Sequence, residues 1–172
     1  GDFGLNVYNS RSLDYLRRKG LASACLSFEL RFSQIRDLKK LLPTEALVYG
    51  RLPLMITENC LVQNETGCRL DRQGPCVPED GPCRCGQPNV LVDRTGAAFP
   101  LLPAYGHRTE IQNSKPLYLA DRPEHRRLGL AYARLRFTTE TAEECVSVVQ
   151  NYLDAAPAAG DFTRGLYERG VE

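Results

Sequence analysis

The chain has 172 residues, 42% of them hydrophobic and 25% charged, with a formal net charge of +1. These values are those of an ordinary folded domain, exclude a disordered tail and give no electrostatic reason to expect a nucleic-acid partner. No apolar run approaches the roughly 20 residues that cross a bilayer. No signal peptide opens the chain, so we expect a cytoplasmic protein without a membrane partner.

The first fifty residues alternate between strand and helix patterns. Their predicted elements are a strand at 3–8, a helix from the cap Asn9-Ser10 to Lys19-Gly20, a strand at 21–26, a helix from Ser33 to Pro43 and a strand at 45–49. Strands and helices that alternate at short intervals are typical of parallel βα units. An open run of such units exposes its edge strands unless further units or a partner cover them.

The chain after residue 88 returns to regular patterns. They predict a hairpin of 90–92 with 97–102, a short helix at 117–120, a strand at 130–137, and a long helix opened by the capping box of Thr141 and Glu144. The apolar side chains of that helix are expected to face inward: Cys145, Val148, Val149, Tyr152 and Leu153. The Gly-rich tail after Pro157 is expected to loop over the surface.

Residues 59–88 hold five of the seven cysteines, at Cys60, Cys68, Cys76, Cys83 and Cys85, together with four Gly and four Pro. A loop of this length needs an internal staple. One Cys-dense loop in a cytosolic chain favours a metal or cluster over disulfides, and thiolates suit both tetrahedral zinc and iron–sulfur clusters. The spacing leaves zinc and iron open. His107 offers an additional imidazole, whereas Cys25 and Cys145 lie among apolar residues and are expected in the core.

Two charged residues follow predicted strands. Glu29 lies just after the second strand and Arg51 just after the third. Barrels and open α/β sheets gather their chemistry at the carboxyl ends of strands, so both residues are candidate catalytic groups. The alternative for each is a solvated or salt-bridging side chain.

Six segments of the chain resemble the peptidase U32 family, the so-called collagenase-like proteases, in the family's order. They are residues 5–10 (LNVYNS), 26–30 (LSFEL), 48–55 (VYGRLPLM), 93–100 (DRTGAAFP), 111–114 (IQNS) and 162–165 (FTRG). The resemblance implies a TIM-like α/β barrel with an added Cys-bearing segment that binds a [4Fe–4S] cluster. It also implies that these residues are the later part of a larger barrel, with a domain at 1–157 that includes the insertion 59–88, and a tail or linker start at 158–172.

Carried over residue by residue, the resemblance gives a metal-ligand set. Its members are Cys60, Cys68, Cys85 and His107, with Cys83 or Cys76 able to replace one of them. The sequence departs from the family at two places, because Pro53 stands in a region where relatives have a cysteine, and His107 stands where the nearest subgroup has one. Three thiolates and one imidazole suit zinc fully and a cubane cluster less commonly.

Three functional hypotheses follow. In the first, the parent protein is an enzyme in which Glu29 and Arg51 bind or polarise the substrate, and the resemblance implies cluster-dependent hydroxylation of RNA or a small molecule. In the second, zinc staples the loop of a structural or interaction module. In the third, a metal-bound water performs peptide hydrolysis. We expect the remainder of the barrel, or a second copy joined through the exposed sheet edge, as partner, and the excerpt alone to be inactive.

Overall fold

The computed structural model describes residues 1–66 and 87–169. The protein has a mixed α/β fold that divides into two compact units, with unit 1 formed by Gly1–Gly50 and Lys115–Glu172 and unit 2 by Arg51–Ser114. The elements are α1 (Ser10–Arg18), β1 (Ala24–Cys25), α2 (Phe32–Asp37), β2 (Thr44–Gly50), β3 (Pro53–Thr57), α3 (Leu61–Thr66), β4 (Asn89–Val92), β5 (Ala98–Ala104), β6 (Arg108–Gln112), β7 (Leu117–Tyr118), β8 (Tyr132–Leu135) and α4 (Ala142–Asp154). None of the helices in the two described ranges has the length and apolar character needed to cross a bilayer.

Unit 1 is built on a sheet of mainly parallel strands with β2 at its centre. β2 pairs in parallel with β1 and with β8, and its last residues pair antiparallel with β7. Val7 adds an isolated parallel bridge to Leu26. The parallel βα alternation predicted from the sequence is therefore confirmed, but the described strands form no closed barrel.

The helix α1 follows its sequence signals closely. The Asn9 side chain accepts a hydrogen bond from the Ser12 amide at 3.0 Å, and Gly20 ends the helix with a φ of +86°. α2 is shorter than predicted because Leu38 is already extended. The Lys40 ammonium donates to the Ile35 carbonyl at 2.6 Å, which satisfies a carbonyl near the end of this helix.

The predicted strand at 3–8 is wrong except at Val7. Phe3–Leu5 form a 3₁₀ turn that the Asp2 carboxylate caps by accepting from the Phe3 amide at 2.7 Å, and Asn6 follows in the left-handed region with a φ of +53°. Local side-chain to backbone hydrogen bonds of this kind compete with strand formation. Only Val7 then enters the sheet.

The predicted helix at 117–120 is also wrong, because β7 occupies its place. The amide of Tyr118 donates to the Thr163 carbonyl at 3.0 Å, and the amide of Thr163 donates to the Pro116 carbonyl at 2.9 Å. This non-local pairing overrides the helical spacing. It also brings the tail into unit 1, where Tyr167 is 1% exposed and stacks on Phe32. The tail is therefore packed into unit 1 at Thr163 and Tyr167, whereas the sequence predicts a surface loop.

The long helix α4 has the predicted capping box at Thr141 and Glu144. Its Val148 and Tyr152 pack against the aromatic cluster around Tyr49 and Tyr118. Val149 and Leu153, which were expected to face inward, are exposed. The helix therefore buries a narrower stripe than its apolar residues suggest.

Gly50 fixes the end of β2 against β8. Its φ is +120°, and a Cβ at this position would lie 2.1 Å from the main-chain oxygen of Arg136. The Arg136 amide donates to the Tyr49 carbonyl at 3.0 Å. Only glycine allows both this backbone conformation and this close approach.

Unit 2 is a four-stranded antiparallel sheet in the order β3-β6-β5-β4. The predicted hairpin is confirmed, since Leu91 pairs with Phe99 and the Gly96 amide donates to the Asp93 carbonyl at 3.0 Å. The sequence does not predict the strand β3, because its central residues Leu54, Met55 and Ile56 show no apolar–polar alternation. In the structure all three side chains are exposed.

Candidate functional site

The carboxyl edge of the parallel strands in unit 1 carries Tyr8 and Glu29. Tyr8 directly follows Val7, which pairs with Leu26, and Glu29 lies in the turn three residues beyond Leu26. The Ser27 amide donates to the Val7 carbonyl at 3.1 Å, and the Leu30 amide donates to the Ser27 carbonyl at 3.3 Å. The backbone therefore brings the two side chains together, and the Tyr8 hydroxyl donates a hydrogen bond to Glu29 Oε2.

The half-buried Glu29 carboxylate differs from two other shielded carboxylates of unit 1, which have an arginine partner. A third, Glu140, accepts three hydrogen bonds instead, from the Tyr49 hydroxyl and the amides of Thr138 and Thr139. Asp121, 25% exposed, accepts two hydrogen bonds from Arg164 at 2.6 and 2.8 Å, and this guanidinium holds the pKa of the Asp121 carboxyl below its usual value. Glu45, 13% exposed, is paired with Arg134. Within residues 1–66 and 87–169 no Lys, Arg or His forms an ion pair with Glu29, whose side chain accepts its hydrogen bond from Tyr8.

A pair of aromatic rings lies near Glu29 and Tyr8 in the sequence. Phe28, the residue before Glu29, packs edge-on against Phe3 with ring centroids 5.6 Å apart. The guanidinium of Arg136, just after β8, lies 5.4 Å from the centre of the Phe3 ring. We call this part of unit 1 the carboxyl-edge site, and its residues are Phe3, Tyr8, Phe28, Glu29 and Arg136.

Arg51, the second predicted catalytic residue, is the first residue of unit 2. Its Nη1 donates to the Asn113 carbonyl at 3.0 Å and to the Ser114 carbonyl. Asn113 in turn donates its amide to the Leu52 carbonyl at 2.8 Å. These bonds tie the two ends of unit 2 together, and a catalytic role for Arg51 stays a prediction.

Two of the predicted metal ligands lie at one end of the unit 2 sheet. β3 and β6 pair from Met55 with Ile111 to Thr57 with Thr109, so Cys60 and His107 both lie just beyond the paired residues at this end. The Leu61 amide donates to Thr109 Oγ1 at 3.0 Å, and Arg108 forms an ion pair with Glu58 at 3.0 Å. The two candidate ligands are thus attached to the same part of the sheet.

Cys60 and His107 are both half-buried, and Cys60 is a free thiol. His107 has a φ of +59° in the turn between β5 and β6, a conformation uncommon for a residue other than glycine. The other predicted ligands, Cys68, Cys83 and Cys85, and the substitute Cys76 lie outside the described residues. No group of three His, Cys, Asp or Glu side chains that could hold a metal occurs in the part of the chain that is described.

The predicted core thiols and one overlooked residue complete the site inventory. Cys25 is fully buried, and burial raises the pKa of its thiol to about 12, whereas Cys145 is half-buried. Tyr8 was missed as a functional candidate. Its position directly after Val7 was the available signal, but it becomes meaningful only once Val7 is known to pair with Leu26.

Comparison with known proteins identifies the family. The profile of Peptidase family U32 matches residues 3–94, more than half of the chain. This range includes Tyr8, Glu29, Arg51 and Cys60. Searches of the curated proteins and of the solved structures gave no match. The chain therefore belongs to peptidase family U32.

Proposed function

We propose that this chain is the substrate-binding part of a U32-family enzyme, within a larger TIM-like barrel, and that the substrate lies at the carboxyl-edge site. The observation that supports this most strongly is the Glu29 carboxylate, which is half-buried and has no cationic partner among the described residues. A shielded charge without a partner costs folding free energy and is typical of a group that a ligand will contact. In α/β barrels the carboxyl ends of the strands carry the chemistry.

Glu29 binds or polarises the substrate in this proposal, and Tyr8 orients the carboxylate through its hydroxyl. Arg51, in unit 2, stays a second candidate catalytic group by its place after β2 in the sequence. A Glu29→Gln variant removes the charge and keeps the shape of the side chain, so it separates electrostatic from steric effects.

In this proposal the enzyme binds a metal through Cys60, Cys68, Cys85 and His107, and Cys83 can replace one of the cysteines. A thiolate and an imidazole donor at one end of the unit 2 sheet fit zinc well and an iron–sulfur cluster less commonly. When bound, a [4Fe–4S] cluster would supply electron transfer for hydroxylation of RNA or a small molecule, and zinc would supply Lewis acidity for peptide hydrolysis.

The experiment is an unbiased assay of the parent protein, with this chain in its complete barrel, prepared without oxygen. The protein is incubated with a peptide library, and separately with RNA and an added organic compound that serves as two-electron oxidant and oxygen-atom donor. Mass spectrometry detects cleaved peptides or the addition of one oxygen atom to the RNA. We expect one of these reactions, and we expect Glu29→Gln to reduce it by about 100-fold, the loss typical of a positioned acid–base or electrostatic group. The exposed Glu124→Gln serves as the matched control. A Glu29→Gln protein with unchanged turnover would contradict the proposal.

A second candidate function is a zinc-stapled structural module without catalysis. The observation in its favour is that Cys60 and His107 both lie at the same end of β3 and β6. A zinc ion bound by these two residues and by cysteines of the Cys-rich segment would connect that segment to the sheet of unit 2. Structural zinc contributes directly to folding. Chelation should then lower the melting temperature and open the segment 67–86 to proteases. Unchanged melting and protease resistance after complete chelation would exclude a staple.

A further inference from the structure

The carboxyl-edge site differs in charge from its surroundings in a way that indicates what it binds. Two shielded carboxylates of unit 1, Glu45 and Asp121, have an arginine at hydrogen-bond distance. Among residues 1–66 and 87–169, the side chain of Glu29 accepts a hydrogen bond from a neutral hydroxyl, that of Tyr8, and from no arginine. A half-buried carboxylate that forms no ion pair among the described residues is complementary to a cation that arrives with a ligand.

Both oxygens of this pair can accept a further hydrogen bond. The Tyr8 proton is used on Glu29 Oε2, so the hydroxyl oxygen of Tyr8 presents its lone pairs, and Glu29 Oε1 has no donor among the described side chains. Acceptors without donors favour a ligand group that has several N–H bonds and no acceptor. A primary ammonium, with three donors and a positive charge, meets that requirement.

We propose that Glu29 and Tyr8 form a subsite for a primary amine of the substrate. The proposal rests on the proposed function, because it assigns part of the substrate to the same carboxyl-edge site. The amine has two chemical sources, the α-amino group of a peptide and the aliphatic amine of a lysine side chain or a diamine. The shared chemistry is an unsubstituted ammonium.

The test is a binding titration of the 172-residue protein, followed by NMR, without metal and without turnover. The probes are alanylalanine amide, its N-acetyl derivative and 1,5-diaminopentane. We expect the free amines to bind and the acetylated peptide to bind at least about tenfold more weakly, the cost of losing a charge-assisted hydrogen bond. The tighter of the two free amines identifies the source.

Variants show whether the amine binds at this subsite. Glu29→Gln should weaken the binding of the free amine about tenfold or more, and Tyr8→Phe about threefold, because the variant loses one acceptor and the orientation of the carboxylate. Glu124→Gln, an exposed glutamate elsewhere in unit 1, should bind as the unmodified protein does. Circular dichroism of each variant shows that it is folded.

Equal binding of the acetylated and free peptides, no binding of either free amine, or unchanged binding by the folded Glu29→Gln protein would each overturn the amine subsite. The outcome is independent of the mass-spectrometric assay. A protein that binds free amines through Glu29 but catalyses nothing would contradict the proposed enzyme function alone, and a protein that catalyses with no amine preference would contradict only the subsite.

Discussion

Two glutamates follow or begin neighbouring parallel strands of unit 1, and they are treated differently by the fold. Glu45 is the second residue of β2 and is 13% exposed; Arg134 binds both of its oxygens and also reaches Asp2 at 3.2 Å. Glu29 lies beyond the carboxyl end of β1, and its partner among the described side chains is the Tyr8 hydroxyl. The first carboxylate has an arginine partner within the fold, and the second has none in the described part of the chain.

The difference indicates a division of roles along the strands. The start of the sheet joins its strands through an internal ion pair, and in the proposed function the carboxyl edge presents polar groups to a ligand. The same division is found between the two faces of α/β barrels. It makes opposite predictions for the two ends, because substitutions in the ion pair should change stability and substitutions at Glu29 should change binding.

The largest expected effect is that of a substitution at Gly50, the last residue of β2. Gly50→Ala should lower the free energy of unfolding by more than about 3 kcal/mol, because it adds a Cβ that would lie 2.1 Å from the Arg136 oxygen at a φ of +120°. Gly160→Ala is the matched control, since Gly160 has a φ of +74° and open space around it; we expect a loss of about 1 kcal/mol there. Urea unfolding measures both. Equal losses would show that backbone conformation alone matters and that the edge is not held by this close approach.

The next effect tests the ion pair. Arg134→Met should lower the free energy of unfolding by about 2 kcal/mol, because it leaves Glu45 shielded and without its cation. The value is at the low end for a broken pair because the Arg134 side chain is 34% exposed. Adding Glu45→Gln to this variant should restore part of the loss, which a double-mutant cycle measures. Additive losses from the two substitutions would show that the pair does not stabilise unit 1.

Asp121 extends the comparison to a third carboxylate and to pH. The hydrogen bonds from Arg164 hold the pKa of Asp121 below its ordinary 3.8. The folded state therefore binds the proton less readily than the unfolded state, so the stabilisation is complete above pH 3.8 and is lost as the pH falls through the folded-state pKa. Asp121→Asn should cost about 1 kcal/mol at neutral pH and progressively less in acid. Stability measured from pH 7 to pH 2 tests this, with the exposed Asp161→Asn as control. A cost that does not change with pH would contradict it.

Local chemistry made several elements predictable from the sequence. The Asn9 cap, Gly20, the Thr141–Glu144 capping box and the Asp93–Gly96 turn each depend on neighbours in the chain, and all were confirmed. The failures came from contacts distant in sequence. Leu117 and Tyr118 follow a helical pattern but pair with Thr163 and the end of β2, and Tyr167 is buried although its surroundings are Gly-rich.

The candidate site was predictable to the extent that it follows strand ends. The sequence predicts Glu29 as a candidate because this residue follows a strand. It does not predict Tyr8, because its pattern indicates one strand over residues 3–8. In the structure, Asp2 and Asn6 cap a short turn, and only Val7 of this segment pairs with the sheet. The cysteine spacing gave the candidate ligands without the metal, since zinc and iron–sulfur clusters use the same thiolates. A role for an unpaired charge can be recognised only after the partners of the other charges are known.

The smallest expected change in stability is the one on which the comparison depends. Glu29→Gln should change the free energy of unfolding by less than about 0.5 kcal/mol, because it removes the cost of shielding the charge and keeps the hydrogen bond from Tyr8. Glu45→Gln, the matched substitution in the ion pair, should lose about 1.5 kcal/mol because it leaves Arg134 with the more exposed Asp2 as its charged partner. Thermal and urea unfolding of the two variants measure the contrast directly. A loss above about 1 kcal/mol for Glu29→Gln would mean that the charge supports the fold of unit 1, and then its missing cation could no longer be taken as a sign of a ligand.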